Sequence, residues 1–223
     1  MLSIVIPTLD AGDTLGATLA ALGEAAFETE AIVADGGSRD ATRAVAEGAG
    51  GRFVEAPRGR GTQLAAGAAA AVGEWLLFMH ADTVLAVGWA DAVGAFMADP
   101  ANARRAAFFR LALDDAAPAA RRLERLVGWR CRVLGLPYGD QGLLMSRAFH
   151  DELDGYSPWP LMEDVDMARR IGRRHLTALD AVAVTSAAAY RRGGYVRRPL
   201  RNLACLALYY LGVAPRLIER FYR

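Results

Sequence analysis

The chain has 223 residues, 53% of them apolar and 23% charged, which is enough to bury a sizeable core in one compact domain and excludes a disordered chain. All 26 basic residues are arginine, so chemistry that needs a Schiff-base lysine or a phosphate-loop lysine is excluded. Cys131 and Cys205 lack metal-ligand spacing and read as free thiols of a cytosolic protein, and no basic stretch followed by an apolar one marks a secretory signal.

In chain order, Leu2-Ser3-Ile4-Val5-Ile6-Pro7 is a short apolar run ended by proline, and it predicts a buried parallel strand. Residues 13–25 carry Leu15, Leu19 and Leu22 at helical spacing, and the apolar run 31–34 ends at Asp35, which completes a βαβ unit. Residues 42–48 predict a second helix, 52–55 a third strand, 62–72 an alanine-rich helix whose Gly67 permits close packing, and 74–79 a fourth strand. Such regular alternation predicts an α/β fold with a doubly wound, mostly parallel sheet. A helix at 89–97, a strand at 106–111 and an arginine-rich helix at 119–134 follow. Residues 135–146 read as a Gly-rich loop leading to an apolar run, and residues 154–161 as a loop over the site. The tail is basic, since residues 191–223 hold 8 Arg against the single acid Glu219. Its apolar stretch 203–214 is too short to span a bilayer, yet it can lie on an anionic surface or pack on the core or on a second subunit.

Four stretches can carry chemistry. Asp35-Gly36-Gly37-Ser38 follows the second strand, where Asp35 can accept hydrogen bonds from a base or ribose and the glycines let the backbone approach a ligand; Asp40 also reads as a helix cap. Arg58-Gly59-Arg60-Gly61-Thr62-Gln63 opens a helix, and its two arginines suit a diphosphate. His80-Ala81-Asp82-Thr83 ends the fourth strand, so that Asp82, with His80 beside it, suits a divalent cation. In Glu163-Asp164-Val165-Asp166 three crowded carboxylates open a helix, and crowding raises their proton affinity as a general base requires.

Taken in order, Ile4-Val5-Ile6-Pro7-Thr8, Asp35-Gly36-Gly37-Ser38-Arg39-Asp40, His80-Ala81-Asp82-Thr83 and Glu163-Asp164 resemble the inverting family 2 glycosyltransferases over residues 2 to about 175. Arg58-Gly59-Arg60-Gly61, Tyr138-Gly139-Asp140-Gln141-Gly142 and the tail Leu208-Tyr209-Tyr210-Leu211 look like a bacterial subgroup labelled as arsenosugar-type glycosyltransferases. The resemblance implies a Rossmann-like nucleotide-diphospho-sugar transferase (GT-A) fold over residues 1–190, with a nucleotide-binding half at 1–100, an acceptor half at 101–190, and a helical tail at 191–223. It implies a hexosyl transfer from a nucleoside diphosphate sugar to an acceptor hydroxyl. Pro7, Asp35, Gly36, Arg58, Arg60, Gln63 and Asp82 would bind the donor, while Asp82 and His80 would hold Mg2+ or Mn2+. Asp164, with Glu163 beside it, would be the base, and Asp140, Gln141 and Trp159 would lie on the acceptor side. Three positions depart from the family pattern: His80 replaces an aspartate, Asp35-Gly36 replaces an Asp-Asp pair, and Asp10-Ala11 replaces Asn-Glu.

The expected setting is cytoplasmic, with no nucleic-acid partner; a peripheral contact of the tail with the inner face of the membrane and a homodimer are the further partners to test. Two other readings are a sugar-1-phosphate nucleotidyltransferase and a non-catalytic membrane-surface or partner-binding module. Against the first, the glycine loop follows the third strand rather than the first, and lysine is absent.

Overall fold

The computed structural model describes residues 1–222. Its first half alternates as the apolar runs require: β1 (Leu2–Thr8), α1 (Gly12–Ala21), β2 (Thr29–Asp35), α2 (Thr42–Gly48), β3 (Arg52–Glu55), α3 (Arg60–Ala70) and β4 (Trp75–Phe78). Then come β5 (Thr83–Leu85), α4 (Trp89–Ala98), β6 (Ala106–Leu113), α5 (Pro118–Leu134), β7 (Leu143–Ser146), α6 (Arg147–Glu152), α7 (Glu163–Ile171) and β8 (Leu176–Thr185). The tail forms α8 (Ala188–Gly193), α9 (Arg197–Tyr210) and α10 (Pro215–Tyr222).

All eight strands join one sheet in the order β3-β2-β1-β4-β7-β6-β8-β5. The four strands from β3 to β4 run parallel, as expected. The sheet as a whole is mixed rather than mostly parallel, because β7 enters antiparallel between β4 and β6 and β5 pairs antiparallel with β8. The cause is local. β4 stops at Phe78, the chain turns at 79–82 and β5 departs in a new direction, while Gly142, at φ 61°, swings the supposed loop directly into β7.

Alternate side chains of the buried strands feed two cores. Ile4 and Ile6 pack with Leu15, Trp89 and Val93 under α1 and α4, whereas Val5 and Ile32 pack with Leu64 and Ala68 of α3 and with Met167 of α7. Each such burial contributes roughly 1.5–3 kcal/mol. Gly67 holds α3 against β1 as its position predicts, since a Cβ there would come within 2.3 Å of Val5 Cγ1.

The apolar stretch 203–214 is not one helix. α9 ends at Tyr210, Gly212 turns the chain at φ 82°, and α10 folds back. Cys205, Leu206 and Ile218 on the inner face pack against Leu136, Met162, Val165 and Ala168, which docks the tail on α7 and on the loop before β7. Among the described residues no helix is long and apolar enough to cross a membrane.

Candidate functional site

The strand order reverses beside β1, with β2 on one side and β4 on the other, and such a switch point opens a crevice at the C-terminal ends of the strands. A cavity of about 610 Å³ lies there. Pro7 and Thr8 from β1, Arg58 and Arg60 before and at the start of α3, and His80 and Asp82 after β4 line it. Glu219 of α10 closes one side.

Asp35 is buried and does not face this cavity. Its carboxylate accepts from Thr8 Oγ1 at 2.9 Å, from the Gly37 and Ser38 amides at 2.9 and 2.8 Å, and from the Ser38 hydroxyl. Burial alone pushes its pKa up, yet these donors together hold it below the ordinary carboxylate value. The Gly36 amide donates to Thr8 O at 2.9 Å, and a Cβ on Gly36 would press on Gln63 at 3.1 Å. Gln63, although its side reaches the cavity, donates to the carbonyls of Thr8 and Ala34 at 2.6 and 3.0 Å. Asp35, Gly36 and Gln63 therefore brace the ends of β1 and β2. Asp40 stands one position before the N-cap of α2, which is Ala41, and not at the cap itself; its carboxylate accepts from the Thr42 amide at 3.0 Å and from Gly12 N at 2.8 Å.

Arg60 is the hub of the polar cluster. Its guanidinium lies 3.4 Å from Glu163 Oε1, and its pKa is raised, because Glu163, Asp164 and Tyr222 outweigh the opposing effect of burial. Glu163 is 1% exposed with its Oε2 unpartnered, and burial pushes its pKa to about 7 against the pull of Arg60. Asp164, half-buried beside it, accepts from Gly139 N at 3.1 Å and from Val165 N at 2.7 Å. Met162 precedes the pair with φ 68°, a left-handed cap that a methionine seldom adopts.

Asp82 is exposed to the cavity, and its pKa is raised by desolvation between the cavity walls, Arg60 opposing. Asp140 has a buried Oδ1 without a partner, and its pKa rises to about 6 through burial, with repulsion from Asp164 and Asp82 adding to it. These couplings join Asp82 to Asp164 through Asp140 in one electrostatic cluster. His80 lines the cavity, but its buried Nε2 has no partner and abuts Gly139, where a Cβ would come within 2.4 Å. Burial first, then Arg60, lowers its pKa to about 3, so the ring is neutral.

Two residues expected on the acceptor side also make contacts within the chain. Gln141 is buried, accepts from Arg130 at 3.1 Å and donates to Phe109 O at 3.1 Å. The Trp159 carbonyl accepts from Gly61 N at 2.9 Å, while its ring packs edge-on against Tyr209 of α9. The loop over the site sits tightly on α3, since a Cβ on Gly61 would come within 2.1 Å of Ser157 O. Glu219 was not foreseen as a wall of the cavity; its standing as the sole acid of a basic tail was the available signal.

As a metal site, the cavity wall offers the Asp82 carboxylate, with the neutral His80 ring on the same wall. Asp82 and Asp140 are acids whose negative charge the protein leaves under-compensated, and that fits a divalent cation whose remaining ligands come from a diphosphate. Among the described residues no group of three or more His, Cys, Asp or Glu converges to hold a metal; the expected pair His80 and Asp82 both line the cavity.

Comparison with known proteins agrees with this geometry. No match is found among the curated proteins. Among solved structures, S. aureus TarS is 13% identical with a TM-score of 0.65, over 93% of this chain and 39% of its own. The Pyrobaculum calidifontis mannosyltransferase PcManGT, in complex with GDP-Man and Mn2+, is 16% identical with a TM-score of 0.63, over 92% of this chain and 60% of its own. Glucosyl-3-phosphoglycerate synthase from Mycobacterium tuberculosis, with Mn2+ and UDP, is 20% identical with a TM-score of 0.55, over 91% and 78%. The chain thus spans well under two thirds of the first two relatives, and the likeness is one of fold. Residues 3–107, which hold the crevice strands, Asp82 and both cavity arginines, match the family model of glycosyl transferase family 2.

Proposed function

We propose that the protein is a family 2 glycosyltransferase that moves a hexosyl group from a nucleoside diphosphate sugar to an acceptor hydroxyl with inversion. The observation that carries this reading is that Asp82, Arg58 and Arg60 line one cavity at the C-terminal ends of the parallel strands, with Arg60 held 3.4 Å from Glu163, the neighbour of Asp164. The likeness of residues 3–107 to the family model and the donors bound by the solved neighbours support it.

In the proposed reaction the acceptor oxygen attacks the anomeric carbon while the bond from that carbon to the β-phosphate oxygen breaks. The acceptor proton passes to the Asp164 carboxylate, which the Gly139 amide holds in place. Arg58 and Arg60 take up the charge of the departing nucleoside diphosphate. Glu163 fixes Arg60 and shares its charge rather than acting as a second base. Asp82 would hold Mg2+ or Mn2+, and that ion would supply Lewis-acid neutralisation of the diphosphate. Donor turnover by Asp82→Ala and Asp164→Asn tests the scheme, and wild-type rates in both would overturn it. A nucleotidyltransferase would release pyrophosphate from a nucleoside triphosphate and a sugar 1-phosphate, and none is expected here.

The tail supports a second activity beside catalysis. While its inner face docks on α7, Val196, Leu200, Leu203, Leu211, Leu217 and Phe221 remain exposed among the tail's arginines. That pattern suits a peripheral contact with an anionic leaflet. Co-sedimentation with anionic vesicles, compared between wild type and Leu200→Ser/Leu203→Ser, tests it; equal pelleting would dismiss the contact.

A further inference from the structure

A second cavity of about 600 Å³ adjoins the first and shares with it Arg58, Gly59, Pro160 and Glu219. Two more arginines, Arg216 and Arg220, project into it from α10, one helical turn apart. Arg58, Arg216 and Arg220 form no ion pair or hydrogen bond among the described residues, and the one carboxylate on the wall, Glu219, is already engaged within the protein. The N-terminus of α3, which has no side-chain cap, opens on the same wall at Thr62. Three exposed guanidinium groups from chain segments some 160 residues apart line this one cavity and concentrate positive charge there.

From this arrangement we infer that the cavity walled by Arg58, Arg216 and Arg220 is a phosphate-binding subsite that anchors a phosphate-bearing acceptor beside the donor pocket. The word acceptor rests on the glycosyltransferase reading, but the phosphate site does not. Lying between the 158–160 turn and α10, a cavity of this volume takes a phosphate group together with part of the small molecule that carries it. Bidentate guanidinium–phosphate bonds explain the use of arginine on both walls. Continuity with the first cavity lets the rest of the ligand extend toward the donor.

The test uses the full chain with inorganic phosphate as the probe, titrated by calorimetry and thermal shift with the donor pocket filled by UDP and Mg2+. Wild type is expected to bind phosphate, and Arg216→Gln/Arg220→Gln is expected to bind it about ten-fold more weakly with UDP affinity unchanged. Equal phosphate affinity in the two proteins would overturn the subsite. If UDP fails to bind, the donor reading falls, while the same comparison without nucleotide still decides the subsite. Arg216→Lys/Arg220→Lys controls for folding and is expected to recover part of the affinity; if the glutamine pair melts early, the single Arg220→Gln takes its place. Vesicles of phosphatidic acid in phosphatidylcholine separate the sources. Pelleting that depends on Arg216 and Arg220 and is competed by inorganic phosphate assigns the group to a lipid headgroup. Phosphate binding without such pelleting assigns it to a soluble acceptor.

Discussion

Arg60 and Glu163 meet at 3.4 Å although 103 positions separate them, and their contact ties the start of α3 to the start of α7. The loop before α3 and the helix that carries Asp164 are thereby held in one frame. Because Glu163 is almost wholly buried with its second oxygen unpartnered, removing Arg60 would leave a carboxylate that must take up a proton. Arg60→Gln is expected to abolish nucleotide binding and to lower stability by about 1–3 kcal/mol, read by urea unfolding and by titration with UDP.

The same carboxylate sets a pH dependence. Burial raises the pKa of Glu163 from 4.5 to about 7, so the folded protein holds a proton that the unfolded chain has released across this range. The contribution to stability is therefore complete below about pH 4.5 and is lost as pH rises toward 7. Asp140 acts in the same sense between 3.8 and about 6. Glu163→Gln should flatten the fall in the unfolding free energy between pH 5 and pH 7, by on the order of 2–3 kcal/mol at most. An unchanged slope would show that Glu163 is ionised throughout.

Asp164→Asn keeps the shape of the side chain and its place beside Gly139 but removes the proton acceptor. Turnover should fall about 10²–10⁴-fold with donor affinity little changed. Asp82→Ala should instead weaken metal-dependent UDP binding, which calorimetry with and without Mn2+ would register. If both variants lose the same parameter to the same extent, the two roles are not distinct.

Gly139→Ala places a methyl group within 2.4 Å of the His80 Nε2, and the His80 ring or the turn that carries it beside Asp82 must then shift. The expected result is a folded protein with catalysis reduced at least ten-fold, since misplacement by about 1 Å costs up to two orders of magnitude. Gly61→Ala acts on the other wall, where the new Cβ meets Ser157 O at 2.1 Å, and it should cost about 1–3 kcal/mol, or several degrees in Tm.

The parallel half of the sheet was legible because β1, β2 and β4 are buried on both faces and so appear as uninterrupted apolar runs. Of the other half only β6, foreseen at 106–111, was legible. β5 has three residues, β7 hides behind Gly139 and Gly142, and β8 spreads its apolar residues in an alternation that only its partners β6 and β5 explain. At the site, spacing singled out Asp35, Gln63 and Gln141 as readily as Asp82 or Arg60. It could not show that the first three spend their hydrogen bonds on the chain itself, since that depends on strands and loops brought together from 27 to 55 positions away. Wall residues from α10 were beyond reach for the same reason: nothing local in a basic helix states which crevice it will cover.

Ile218 and Glu219 are neighbours on the last short helix, one fully buried against α7 and the other forming the side of the first cavity. Hydrophobic anchorage and the boundary of the ligand space thus depend on a single turn near the chain's end. A polar substitution at Ile218 would therefore be felt in the ligand space as well as in the packing under α7.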